Sequence, residues 1–222
     1  MTGGIDLYAH DGVGPNPPKV ALLLEELGLS YTVNPLPFGP EGVKSPKYLA
    51  ICPNGRVPAL IDHGNGDCIV WESGACLYYL AEMYDKSGKY FGRNVNEKTE
   101  VMVWLTHQLS GVGPAQGNLN WFMHFHEQTS GEKPSDVILD RYRNETFRLY
   151  DVLEQRLEKQ EQKGSEFIAL DRYTIADMAF YGWLHIAFFA KLDFSKHPRL
   201  GKYVERIANM PNTKAAYAKL GQ

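Results

Sequence analysis

The chain has no Cys-x-x-Cys pair, and its three cysteines, Cys52, Cys68 and Cys76, are too few for a disulfide framework, which points to a reducing compartment. It also lacks any block of like charge: 23 basic and 26 acidic residues are spread along it for a net charge of −3. A surface that tracks a phosphate backbone or an anionic membrane is therefore not expected, and neither is a nucleic-acid partner. No apolar run approaches the roughly 20 residues of a membrane span. The opening Met-Thr-Gly-Gly-Ile-Asp-Leu-Tyr has neither the basic head nor the apolar core of a secretory signal. The expected location is cytoplasmic. Internal repeats and low-complexity segments are missing too, and 44% hydrophobic residues in 222 suffice for one large or two modest packed domains.

What is present falls into two halves. Residues 5 to 9 alternate apolar with polar like a half-buried strand, and a turn-rich run, Asp11 to Pro18, leads into a helix opened by Asn-Pro-Pro. Val20, Leu23, Leu24 and Leu27 repeat at helical spacing, and Gly28 is placed to end that helix in a left-handed cap. A strand over Tyr31 to Leu36 completes a right-handed strand-helix-strand crossover with parallel strands. A short helix at Pro46 to Ala50 follows, and then a hairpin: a third strand after Pro58, turn residues 63 to 67, and a fourth strand over Cys68 to Trp71. Glu72-Ser73-Gly74 opens a helix carrying Leu77, Leu80 and Tyr84. This order matches a four-stranded thioredoxin-like sheet.

From about Asn94 the strand signals stop. Ile138, Tyr142, Leu149, Leu153 and Leu157 share one side of a helix expected from Ser135 to about Lys163, with Gly164 as its stop. Thr174-Ile-Ala-Asp177 reads as a capping box, and Met178 to Phe189, apolar all round, as the buried centre of a bundle. The expected fold is an α/β N-terminal domain over 1–86 and an all-α C-terminal domain over 95–222.

Two local patterns carry chemistry. A proline opening an apolar strand at Val57-Pro58 predicts a cis bond that presents the Val57 backbone to an extended ligand; a trans proline on an edge strand is the alternative. Glu72-Ser73 lies where a strand gives way to a helix. There the helix N–H groups and the Ser hydroxyl can receive a carboxylate, and the Glu an ammonium, the two groups an amino acid carries on one carbon. A plain helix cap is the alternative. His124 and His126, two apart on one helix, point to different sides, so no metal site is expected.

Four ordered stretches together resemble cytosolic glutathione transferases: the strand-turn-helix opening, Pro-Asn-Gly-Arg-Val-Pro-Ala-Leu at 53–60, Trp-Glu-Ser-Gly-Ala at 71–75 and Tyr-Thr-Ile-Ala-Asp at 173–177. Gly14-Pro15-Asn16-Pro17-Pro18-Lys19-Val20, Gly111-Val112-Gly113-Pro114 and Arg141-Tyr142-Arg143-Asn144-Glu145 are similar to the fungal branch related to the prion-forming yeast nitrogen-catabolite regulator, and to bacterial nu-class enzymes. The resemblance implies glutathione as co-substrate, held by Val57, Pro58, Glu72 and Ser73, and a homodimer. It also implies Asn16 beside the sulfur, where an amide N–H at a helix start favours thiolate over thiol. Tyr8 ranks second for that role, since other classes use a Tyr there. Lys44, Arg56 and Arg141 are candidates for the glycyl carboxylate. Gly14 and Cys52 depart from the relatives, which carry Thr and Asn there. Cys52 is expected to be the most exposed of three mainly buried cysteines.

The function implied is transfer of the glutathione thiolate to a hydrophobic electrophile, or reduction of a disulfide by it. Trp121, Phe122, Phe125 and Phe189 are candidates for an apolar second-substrate pocket, or else core. Alternatives are a non-catalytic carrier or regulatory protein and a glutathione-using enzyme of fungal secondary metabolism.

Overall fold

The structure, a computed structural model, describes residues 4–12 and 14–221. The chain forms two compact units. One comprises the residues up to Asn94 together with those from Ala208 on, and the other runs from Val95 to Ile207. The last helix thus clusters with the first unit, so the compact helical unit is shorter than the expected 95–222.

In the first unit β1 (Ile5–His10), β2 (Tyr31–Leu36), β3 (Ala59–Asp62) and β4 (Cys68–Trp71) form one sheet in the order β2-β1-β3-β4. β1 is parallel to β2 and antiparallel to β3, and β3 is antiparallel to β4. Alternation in β1 is strict: Ile5, Leu7 and Ala9 are buried, while Asp6, Tyr8 and His10 are half-buried. The register matters for function. Tyr8 pairs with Ala59, and Ala59 with Trp71, so the exit of β1, the entry of β3 and the exit of β4 lie at one end of the sheet. Val57-Pro58, Glu72-Ser73 and the turn leading to Asn16 all leave from that end.

Three helices of this unit bear on the site: α1 (Pro17–Glu26), α2 (Pro46–Leu49) and α3 (Ser73–Tyr84). α1 begins with two prolines, which lack only N–H groups that a first turn leaves unpaired anyway. It ends before Gly28 at φ +65°, as expected from a left-handed cap. α3 lies against α1, burying Leu77 and Leu80.

The second unit is helical: α4 (Val95–His107), α5 (Gly113–His124), α6 (His126–Ser130), α7 (Asp136–Glu161), α8 (Ile175–Leu184) and α9 (Pro198–Ala208). Residues 108–112 form a π-helical turn joining α4 to α5. α7 starts on a Ser135 cap and is followed by Gly164 at φ +76°, close to the predicted limits. The buried run is shorter than expected: α8 is buried through Leu184 except at half-buried Trp183, but Phe188 and Phe189 are 70% and 42% exposed. α10 (Pro211–Lys219) returns to the first unit, packing on α1. Among the described residues no helix is long and apolar enough to cross a membrane.

Candidate functional site

The Val57-Pro58 bond is cis. Val57 is buried, and no intramolecular hydrogen bond takes up its backbone N–H or C=O among the described residues. Backbone polar groups in such a place are nearly always paired, and these two are open to an extended partner. The preceding carbonyl, of Arg56, is held from behind by the Tyr48 hydroxyl at 2.8 Å and the Cys52 thiol at 3.3 Å. Cys52 is therefore not the exposed cysteine: it is 1% exposed, and Cys68 is the partly accessible one. Arg56 is exposed on this loop, and Lys44 is exposed on the segment before α2. The Lys44 ammonium donates to the Asn54 carbonyl at 3.0 Å.

Across from this loop, Glu72 adopts φ +70° at the head of α3, a sparsely populated conformation for a non-glycine residue. Ser73 beside it is buried. The Asn54 amide donates to Glu72 Oε1 at 3.3 Å, tying the Val57 loop to the α3 N-terminus. Beneath Ser73 lies Lys19, 1% exposed, its Nζ 3.4 Å from Ser73 Oγ. Burial pulls its ammonium down to about 7, the Glu72 carboxylate acting in the opposite sense. Lys19, Asn54 and Tyr48 were not singled out from sequence. Asn54 carries a signal in its place ahead of the turn glycine Gly55, at φ +60°.

Asn16 is half-buried at the start of α1 and makes no side-chain capping hydrogen bond. Tyr8 packs on Tyr48, ring centroids 5.5 Å apart, and burial together with Asp6 raises its pKa. His10 closes β1 with its ring stacked 3.8 Å from Phe38.

Arg141 stands exposed on α7 in the second unit. That unit also presents an aromatic group. Trp121, Phe125 and Phe189 are each more than a third exposed, Phe122 packs on Tyr142, and the His124 ring stacks 4.1 Å from Phe189. Trp121, Phe125 and Phe189 are thus surface rather than core, and Phe122 is half-buried. No group of three His, Cys, Asp or Glu able to hold a metal occurs among the described residues.

Residues 6–82 match the family described as glutathione S-transferase, N-terminal domain, and residues 119–211 the corresponding C-terminal domain. The chain is 38% identical to glutathione S-transferase 1 of Schizosaccharomyces pombe, over 95% of this chain and 93% of that one. It is 35% identical to the disulfide-bond oxidoreductase YfcG of Escherichia coli, over 97% and 95%. Among solved structures, the glutathione transferase URE2P6 of Phanerochaete chrysosporium, in complex with oxidized glutathione, matches with TM-score 0.88 and 37% identity over 99% of this chain and 97% of that one.

Proposed function

The chain belongs to the glutathione S-transferase family, and from that premise we propose that it binds glutathione at the shared end of the sheet and uses its thiolate in conjugation or disulfide reduction. The γ-glutamyl carboxylate is received by Ser73 and the α3 N-terminus and the γ-glutamyl ammonium by Glu72. The cysteinyl backbone pairs with Val57 beside Pro58, and Lys44 and Arg56 face the glycyl end. Asn16 donates its amide N–H to the sulfur and, with the α1 N-terminus, favours the thiolate. The observation that carries this reading is the Asn54–Glu72 hydrogen bond at 3.3 Å, because it makes the strand-pairing loop and the amino-acid clamp one structure.

The turn between β1 and α1 contains no cysteine, so the reacting sulfur is glutathione's own. In conjugation the thiolate forms a bond to carbon and the electrophile's leaving group departs, or its double bond takes up a proton. In disulfide reduction the thiolate attacks one sulfur and expels the other as thiolate. A second glutathione then resolves the mixed disulfide to glutathione disulfide. The exposed rings of Trp121, Phe125 and Phe189 suit an apolar second substrate. The protein works in the cytosol as a homodimer, in keeping with three free cysteines and with exposed Ile69, Trp71 and Tyr78 on the first unit. Light scattering on an eluting column peak checks this, with twice the chain mass expected.

The test of function is turnover of glutathione with 1-chloro-2,4-dinitrobenzene and with hydroxyethyl disulfide, beside Asn16→Ala. The variant is expected to lose kcat by about 10²-fold, the scale of removing one donor to a developing anion, with little change in KM. Unchanged rates in the variant remove Asn16 from its role. Retention on immobilised glutathione without turnover of either substrate favours a carrier.

A further inference from the structure

Lys19, a fully buried charged side chain at this end of the fold, is left unused by glutathione binding through Val57, Glu72, Ser73 and Asn16. A buried ammonium is costly unless an anion answers it. Its place is specific: Lys19 sits in the first turn of α1, its Nζ 3.4 Å from the hydroxyl of Ser73 in the first turn of α3. Two helix N-termini, both of positive potential, therefore meet around an amine.

Hydrogen-bond direction gives this arrangement a consequence. An ammonium only donates, so a charged Lys19 occupies a lone pair of Ser73 Oγ and leaves the hydroxyl proton to point outward, toward an acceptor. A neutral amine has a lone pair of its own, and the Ser73 O–H can turn inward to it. The Glu72 carboxylate, at the head of α3, is a charged group acting on Lys19. The Cys76 thiol, one turn further along α3, is pushed up by burial and stays protonated.

Resting on the glutathione reading, we propose that Lys19 is a positioning residue through which the site reads the ligand's γ-glutamyl carboxylate: its buried ammonium fixes Ser73 as a donor to that carboxylate, and Lys19 takes up a proton when the carboxylate arrives. The proton comes from solvent and forms an N–H bond at Nζ; no other bond changes. Binding is thereby coupled to pH independently of the thiol, and it weakens as pH rises because the free protein must first be protonated.

The test is titration calorimetry with S-hexylglutathione, which has no thiol to ionise, between pH 6 and 8.5. At pH 7.5 it is run in two buffers of different ionisation enthalpy. Wild type is expected to take up a substantial fraction of a proton on binding, and its Kd to weaken toward about tenfold per pH unit above pH 7. Lys19→Arg, which keeps its charge across this range, is expected to bind with an affinity flat within about twofold. Lys19→Met is expected to bind about tenfold more weakly at pH 6, also without pH dependence. Thermal melts report whether the variants are folded, and the wild-type buffer comparison stands without them. Binding by wild type with no proton uptake, or an unaltered pH slope in a folded Lys19→Met, overturns the inference alone. Wild type that binds no S-hexylglutathione at any pH overturns the glutathione reading, and the inference with it.

Discussion

Lys19 ties ligand chemistry to stability. Unfolded, its ammonium holds a proton up to its ordinary value of 10.5, whereas in the fold burial brings this down to about 7. Between those values the unfolded chain binds more protons, so the contribution of Lys19 to stability is present at high pH and is lost as pH falls through about 7. In the absence of ligand, urea denaturation at pH 7 and pH 9 is expected to show wild type gaining on Lys19→Met by up to about 1 kcal/mol per pH unit. Tyr48 acts on the other half of the clamp. Its hydroxyl holds the Arg56 carbonyl at 2.8 Å, so Tyr48→Phe is expected to lower stability by about 1 kcal/mol and to raise KM for glutathione while kcat holds. Steady-state kinetics and denaturation separate the two effects. Both residues escaped the sequence reading for the same reason. Their partners lie on other elements, 54 residues away for Lys19 and in the next loop for Tyr48, and helical spacing does not tell that a lysine among leucines turns inward. Glu72-Ser73 and Val57-Pro58, by contrast, announce themselves through adjacent residues at an element boundary.

At the scale of elements, local signals read well and shape read poorly. The four strands and the helix from Ser135 follow from alternation, caps and glycine stops. The Thr174–Asp177 box is present, and Asp177 does more than the motif requires. Its carboxylate accepts from the Thr174 N–H and hydroxyl and the Ile168 N–H, each at 2.8 Å, and from the Tyr203 hydroxyl at 3.0 Å. The π-turn at 108–112 carried no periodic signature, because one inserted residue shifts the phase of a helical pattern without ending it. Beyond that turn α5 presents Gly117 to Trp183, where an added Cβ would lie 2.8 Å from the ring. Gly117→Ala gains helix propensity of about 1 kcal/mol, but a rigid indole edge cannot yield cheaply. A net loss of about 1–3 kcal/mol is expected from thermal or urea unfolding. Asn118→Ala, one residue along on the exposed side, is expected to stay within about 0.5 kcal/mol.

For the whole molecule, the chain's end is what sequence order concealed. Sequence order does not tell which unit α10 joins, because nothing in a local pattern reports a contact with residues near the start of the chain. α10 closes on α1 through the Asn212 amide, 3.1 Å from Glu26 Oε1, and through Lys219, whose Nζ lies 3.7 Å from Glu25 and 3.6 Å from the Tyr31 ring centroid. Tyr31 in turn donates to Glu25 at 2.8 Å, so the C-terminal segment fastens the last turn of the helix whose first turn carries Asn16 and Lys19. Ending the chain after Asn209 removes this cover together with buried Ala216 and Leu220. At about 25 cal/mol per Å² of apolar surface, this amounts to a few kcal/mol. The truncated protein is expected to melt at a lower temperature and to bind S-hexylglutathione more weakly. The second unit's own core, with Tyr150, Leu153 and Phe180 fully buried, keeps its helices, so the lost structure is expected to be confined to the first unit. Hydrogen exchange tests that division: faster exchange in α1 with α7 and α8 still protected is the expected pattern, and equal loosening of α8 would show that α10 serves both units rather than one.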